Sequence, residues 1–267
     1  MSVEAALQSG NPREALTELQ ARVRKEPAVA RHRVLLFQLL CVLGQWPRAL
    51  GQLQVVGELD AEALPMVQTY REALRCEVFR QEVFAGRRAP LLFGEPTPWV
   101  ALLIEALARD ADDPQAAAGL RAEAFERAPA NPGSADGRPF AWLADTDGRL
   151  GPVIEAIING RYYWIPCERL SSVQQEAPAD LRDVVWMPAS LTFTTGGETV
   201  ALLPARYPGL DAEDDGGLLL GRRTEWRENE HGLVLAAGQR VFATDGDDVA
   251  LYDLRTLHFD PAAPASA

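Results

Sequence analysis

Residues 10–16 read GNPREAL, and residues 44–50 read GQWPRAL. Gly10 answers Gly44, Ala15 answers Ala49, Leu16 answers Leu50 and Leu19 answers Leu53, at a constant offset of 34 residues. That is the period of tetratricopeptide-type helical hairpins. The residue types suit the geometry. Glycine permits the turn between two helices, alanine lets their backbones approach, and Pro27 opens the next helix where its missing N–H costs nothing. Apolar periodicity extends the pattern. Ala15, Leu16, Leu19 and Val23 line one face of residues 12–25. Leu35, Leu36, Leu39, Leu40 and Leu43 line a face of 28–43, and Ala49, Leu50, Leu53 and Val56 line the next helix. A longer helix is predicted over 62–85, with Leu64, Val67, Leu74 and Val78 inward, and two more follow Pro98 and Pro114. Two repeats do not bury a continuous core, so the later helices are expected to complete the layer.

Beyond them the pattern changes. Residues 129–139, PANPGSADGRP, read as a linker from their proline and glycine content. Short β-type runs come next. LGPVIEAIING meets RYYWIP across Asn159-Gly160, the strongest short hairpin signal. VVWMPASLTF and ETVALLPARY flank Gly196-Gly197, and QRVFAT and VALYDL flank Asp245-Gly246. The expectation is therefore an α+β chain. Tetratricopeptide-like helical hairpins occupy 1–128, and a mainly-β domain, a small twisted sheet or partial barrel, occupies 140–260. Residues 261–267 are expected to form a flexible tail.

Charge narrows the function. The formal net charge of the 267 residues is -12, which disfavours both nucleic acid and an anionic membrane as partners. Lys25 is the only lysine and no glycine-rich loop precedes it, so P-loop, Schiff-base and kinase chemistry are absent. Cys41, Cys76 and Cys167 lie far apart with no C-x-x-C. With no secretory signal and no apolar span, a reducing cytoplasm is the natural compartment.

Candidate sites are few. The stretch from Asp211 to Gly216 imitates the start of a calcium loop, but its twelfth position is Arg222 where a bidentate carboxylate is needed. No H-E-x-x-H or G-x-S-x-G occurs, and no catalytic residue, metal or cofactor is assigned. A hydrolase using Asp145, Asp147 or His231 between the two halves is the rival reading. The polar run Arg31, His32, Arg33 opens the second hairpin and could rim a groove that holds a partner helix. Tyr162, Tyr163 and Trp164 alternate across a strand, so one face joins the core. Tyr163 and Trp164 are the second candidate contact, since tyrosine and tryptophan anchor interfaces.

Taken in order, LRAEAFERAPANPG (120–133), LGPVIEAIINGRYYWIP (150–166), DLRDVVWMPA (180–189), LLPARYPG (202–209) and RRTEWRE (222–228) resemble the ImpE family, also called TagJ. The resemblance covers nearly the whole chain. Cys167 and the LVLAAGQR segment depart from the family pattern in ways that look like packing variation. The resemblance implies a non-enzymatic cytoplasmic accessory protein of bacterial type VI secretion. It would bind the N-terminal helix of the small contractile-sheath subunit (TssB) and connect with the ClpV-type ATPase that dismantles the sheath. It carries over no binding residues.

Overall fold

The computed structural model describes residues 2–95 and 97–261. Helices come first: α1 (Val3–Gln8), α2 (Pro12–Lys25), α3 (Ala30–Val42), α4 (Trp46–Leu59), α5 (Leu64–Phe84), α6 (Pro98–Arg109) and α7 (Pro114–Arg127), with a two-residue strand β1 (Leu91–Leu92) between α5 and α6. The echoed glycines sit where the pattern placed them. Gly10 turns α1 into α2 at φ 78°, and Gly44 turns α3 into α4 at φ 66°, backbone that favours glycine. Ala15 and Ala49 are buried at the helix contacts. Asn11 caps α2 through Glu14 N at 3.2 Å, and Asp113 caps α7 through Ala116 N at 3.0 Å.

The strands follow: β2 (Gly133–Ala135), β3 (Arg138–Phe140), β4 (Leu143–Asp145), β5 (Val153–Ile158), β6 (Arg161–Pro166), β7 (Leu170–Gln175), β8 (Trp186–Phe193) and β9 (Glu198–Pro204). A one-turn helix α8 (Gly216–Leu219) precedes β10 (Thr224–Glu228), β11 (Val234–Gly238), β12 (Val241–Thr244), β13 (Val249–Ala250) and β14 (Thr256–Phe259). Nine strands form one sheet in the order β1-β6-β5-β9-β8-β7-β14-β2-β3. Its pairs are antiparallel except β1 with β6. A three-stranded sheet, β13-β12-β4, and the β10-β11 hairpin complete the β half. All three hairpins read from turn residues are present as β5-β6, β8-β9 and β12-β13. At the first, Asn159 and Gly160 both take positive φ, as a type I′ turn requires. The segment 129–139 contributes β2 and the start of β3 to the sheet. Of the tail expected over 261–267, residues 262–267 lie outside the described residues.

The two faces of the large sheet have separate cores. Val153, Ile157, Tyr162, Trp164 and Trp186 pack against the helices, while Ile154, Ile165, Met187, Leu191 and Leu203 pack toward Phe242, Leu251 and Leu257. The α5 helix lies along the first face. Its Tyr70 meets Trp186 at a ring separation of 5.7 Å, Phe79 meets Tyr162 at 6.2 Å and Phe84 meets Trp164 at 6.0 Å. Here one expectation is corrected. Val67 and Leu74 are inward, but Leu64 and Val78 are exposed, and Glu77 and Arg80 take buried positions. Apolar periodicity sends charges outward; on α5 the sheet supplies partners for them, and the helix turns accordingly.

Arginines from the β half also finish helices of the other half. Arg206 donates to Val42 O at 2.8 Å and Cys41 O at 3.3 Å, satisfying the C-terminal carbonyls of α3. Arg222 donates to Leu7 O at 2.6 Å and Gln8 O at 3.0 Å at the end of α1. The residue that spoils the calcium-loop pattern is thus a helix cap.

Candidate functional site

Between α5 and the sheet runs a buried chain of charges. Glu155 is the one charged residue in the apolar run of β5, and its side chain has no exposed area. It accepts from Arg80 Nε at 2.6 Å and Arg80 Nη2 at 2.9 Å, and also from Tyr162 Oη and Arg240 Nη2. Arg240 reaches on to Asp145, which further accepts from Tyr207 Oη at 3.0 Å and Asp147 N at 2.8 Å. Asp147 accepts from Arg149 Nε and Nη2, both at 2.7 Å, from Arg149 N at 3.0 Å and from Ala236 N at 3.1 Å. At the other end Arg80 bonds Glu77 at 3.3 Å, and Glu77 accepts from Trp186 Nε1 at 2.9 Å.

Asp145 and Asp147 are therefore saturated acceptors inside the fold, with Asp147 fully buried. The acid pair considered for a hydrolase is not open at these positions. His231 is exposed on the β10-β11 connection, 3.5 Å from Glu230. Among the described residues, no group of three or more His, Cys, Asp or Glu is placed to hold a metal ion.

Four carboxylates (Glu77, Asp145, Asp147, Glu155) share three guanidinium groups (Arg80, Arg149, Arg240) along this chain. The imbalance falls on Asp145. Burial pushes its carboxyl up to about 6, against the pull of Arg240. Glu155 is held down at about 2, because Arg80 and Arg240 outweigh its burial. The signs differ. A raised folded-state value stabilises the fold below the unfolded value and loses that contribution as pH rises. A depressed one stabilises above the unfolded value and loses it as pH falls. Stability should thus rise gently from about pH 7 to 5 as Asp145 takes a proton, then fall below about pH 4 as the unfolded chain protonates Glu155. Urea midpoints across this range check it; Asp145→Asn should remove the rise and keep the acid limb.

The residues read as partner contacts fall in different places. Arg31 is exposed and makes no side-chain hydrogen bond among the described residues. His32 bonds Glu26 at 2.7 Å, and Arg33 donates to Pro27 O at 2.9 Å and Gln52 Oε1 at 3.0 Å, so both brace the α2–α3 turn. Trp164 is buried under the helices, with Nε1 donating to Tyr162 Oη at 2.8 Å. Its ring belongs to the core and offers no surface. Tyr163 points to the opposite face, half-buried, edge-on to Phe93 at 5.9 Å.

A different surface is open. The helices cover only part of the sheet, and beside α5 the faces of β5, β9, β8, β7 and β14 form the floor of a groove of about 770 Å³. Ile157, Pro188, Val200 and Leu202 give the floor apolar area. Gln68, Thr69 and Glu72 of α5 form one wall, and Gln174, Ser190 and Thr256 add polar groups. Val200 is 75% exposed, the most of any large apolar residue described. Single-strand patterning could not find this groove, because it depends on where α5 stops covering the sheet.

Comparison with known proteins supplies context. The family model described as "ImpE protein" matches residues 137–258. The type VI secretion system accessory component TagJ of Pseudomonas aeruginosa is 54% identical over 262 residues, 98% of this chain and 92% of that protein. The crystal structure of protein VPA1032 from Vibrio parahaemolyticus superposes with a TM-score of 0.88 at 25% identity, covering 97% of each chain.

Proposed function

The chain belongs to the ImpE (TagJ) family, and from that premise we propose that it is a non-enzymatic accessory protein of type VI secretion whose work is to hold another polypeptide. The partner is the N-terminal helix of the small sheath subunit, and through it the protein links the sheath to the ClpV-type ATPase in the cytoplasm. The observation that carries this reading is the groove beside α5: an apolar floor with a polar rim, of a volume that takes one face of an amphipathic segment. The saturated state of Asp145 and Asp147 supports a binding role over hydrolysis. The net charge of -12 supports a protein partner over nucleic acid. No described helix is long and apolar enough to cross a membrane.

Calorimetric titration with a synthetic peptide of the sheath subunit's N-terminal helix tests it. One-to-one binding of about −8 kcal/mol, a micromolar Kd, with a gain in peptide helicity by circular dichroism, is the expected result. A peptide that stays unbound at millimolar concentration removes the helix as partner.

A further inference from the structure

A second cleft, of about 490 Å³, opens between α7 and the tip of the β10-β11 hairpin. Much of its wall is apolar, with Phe84 at the end of α5, Phe125 and Ala118 from α7 and Leu233 and Leu235 from the hairpin, while Asp110, Asn229 and His231 add polar groups. Phe125 is 41% exposed. On the lining lie two guanidinium groups, Arg121 and Arg149. Cations in an apolar cleft call for acceptors, and the two nearby carboxylates, Asp110 on the lining and the buried Asp147, each pair with one of them but leave donors over. Arg121, buried at 5% exposure, gives only Nη2 to Asp110; its Nε is buried without an acceptor, and Nη1 has none among the described residues. Arg149 spends Nε and Nη2 on Asp147, whose oxygens already receive four donors, and stacks on the Phe84 ring at 4.7 Å. Its Nη1 has no acceptor among the described residues either. Each guanidinium carries five N–H donors, so the cleft holds a surplus of charged donors beside exposed aromatic and aliphatic area.

We propose that this cleft binds a protein segment in which a Glu or Asp side chain stands next to a large apolar residue. The carboxylate accepts from Arg121 and Arg149, and the apolar neighbour packs between Phe125 and Leu233. Charge complementarity selects the occupant, because bonds from an ionised donor to an ionised acceptor are the strong ones, while a purely apolar segment would leave the guanidinium donors unpaired. The site uses residues separate from the groove beside α5, so it serves a second contact of the same accessory protein.

The probe is the peptide acetyl-Phe-Glu-Leu-amide, compared with its Gln counterpart by amide chemical-shift titration of the full chain. The Glu peptide is expected to move Gly148, Arg149, Leu233 and Leu235, and the Gln peptide to bind about tenfold more weakly. Ala118→Glu, at an exposed position of α7, should abolish the shifts with unchanged Tm, since the new carboxylate either repels the ligand or occupies Arg121 in its place. Arg121→Gln should bring the Glu peptide down to the affinity of the Gln peptide. Equal binding of the two peptides, normal binding to Ala118→Glu, absence of any shift, or 3-phenylpropionate binding as tightly as the Glu peptide would each overturn the proposal; the last result would make this a small-acid pocket.

Discussion

Glu155→Gln is expected to lower the stability of the folded chain by about 3–5 kcal/mol, and to drop Tm by about 10 °C. The exchange keeps size and shape and removes one charge. Arg80 and Arg240 then face each other across a position where neither has water, each left with a single remaining carboxylate, Glu77 and Asp145. Taking one partner from a buried ion pair is costly because the other charge stays desolvated. The Tyr162 hydroxyl and the Trp164 indole hang on the same carboxylate in sequence, so the aromatic packing of α5 loosens with it. Urea unfolding read by tryptophan fluorescence measures the effect. The same exchange at Glu82, which bonds Arg87 in solvent, should leave the midpoint where it was. A Glu155→Gln chain as stable as the parent would show that the charge network is not what joins the helices to the sheet.

Val200→Arg is expected to weaken binding of the sheath-subunit helix at least about tenfold, a loss of about 1.4 kcal/mol, with Tm unchanged. The side chain stands in solvent on the floor of the groove, so the fold loses little when it changes. A bound helix would bury it, and a guanidinium there must be desolvated against an apolar face. Arg31→Glu provides the contrast. Arg31 lies on the hairpin edge, away from the groove lining, and its charge reversal should leave the affinity unaltered. Loss of binding in Arg31→Glu with none in Val200→Arg would move the partner to the helical hairpins.

Local chemistry was readable in the sequence; what depends on distant partners was not. The glycines at 10 and 44, the helix-opening prolines 98 and 114 and the turn pairs at 159–160, 196–197 and 245–246 each act within a few residues and are found in the predicted roles, whereas Pro27 lies in the turn before α3, which begins only at Ala30. The strand β1 is only two residues long and exists because β6 lies beside it. The β10-β11 hairpin is rich in charge, which alternation rules read as loop. On α5, Glu77 and Arg80 look like solvent residues until Glu155 and Trp186 are brought to them from more than 70 positions away. One signal was present: a glutamate inside VIEAII, an apolar strand with no polar face to give it, calls for a buried cation. The surroundings of the candidate contacts depend on distant partners in the same way. Which side of Tyr163-Trp164 is core depends on the layer that lands on it, and His32 and Arg33 found acceptors in the preceding turn.

The caps that Arg206 and Arg222 place on α3 and α1 have a practical consequence for anyone dissecting this protein by truncation. A fragment ending near residue 128 would carry helix termini stripped of their donors and α5 with Glu77 and Arg80 bare. The complementary piece would expose Trp186, Glu155 and the flank of β6 that β1 occupies. Each would fail in solubility before its binding could be assayed, so point substitutions on the intact chain are the instrument for assigning a partner to one surface.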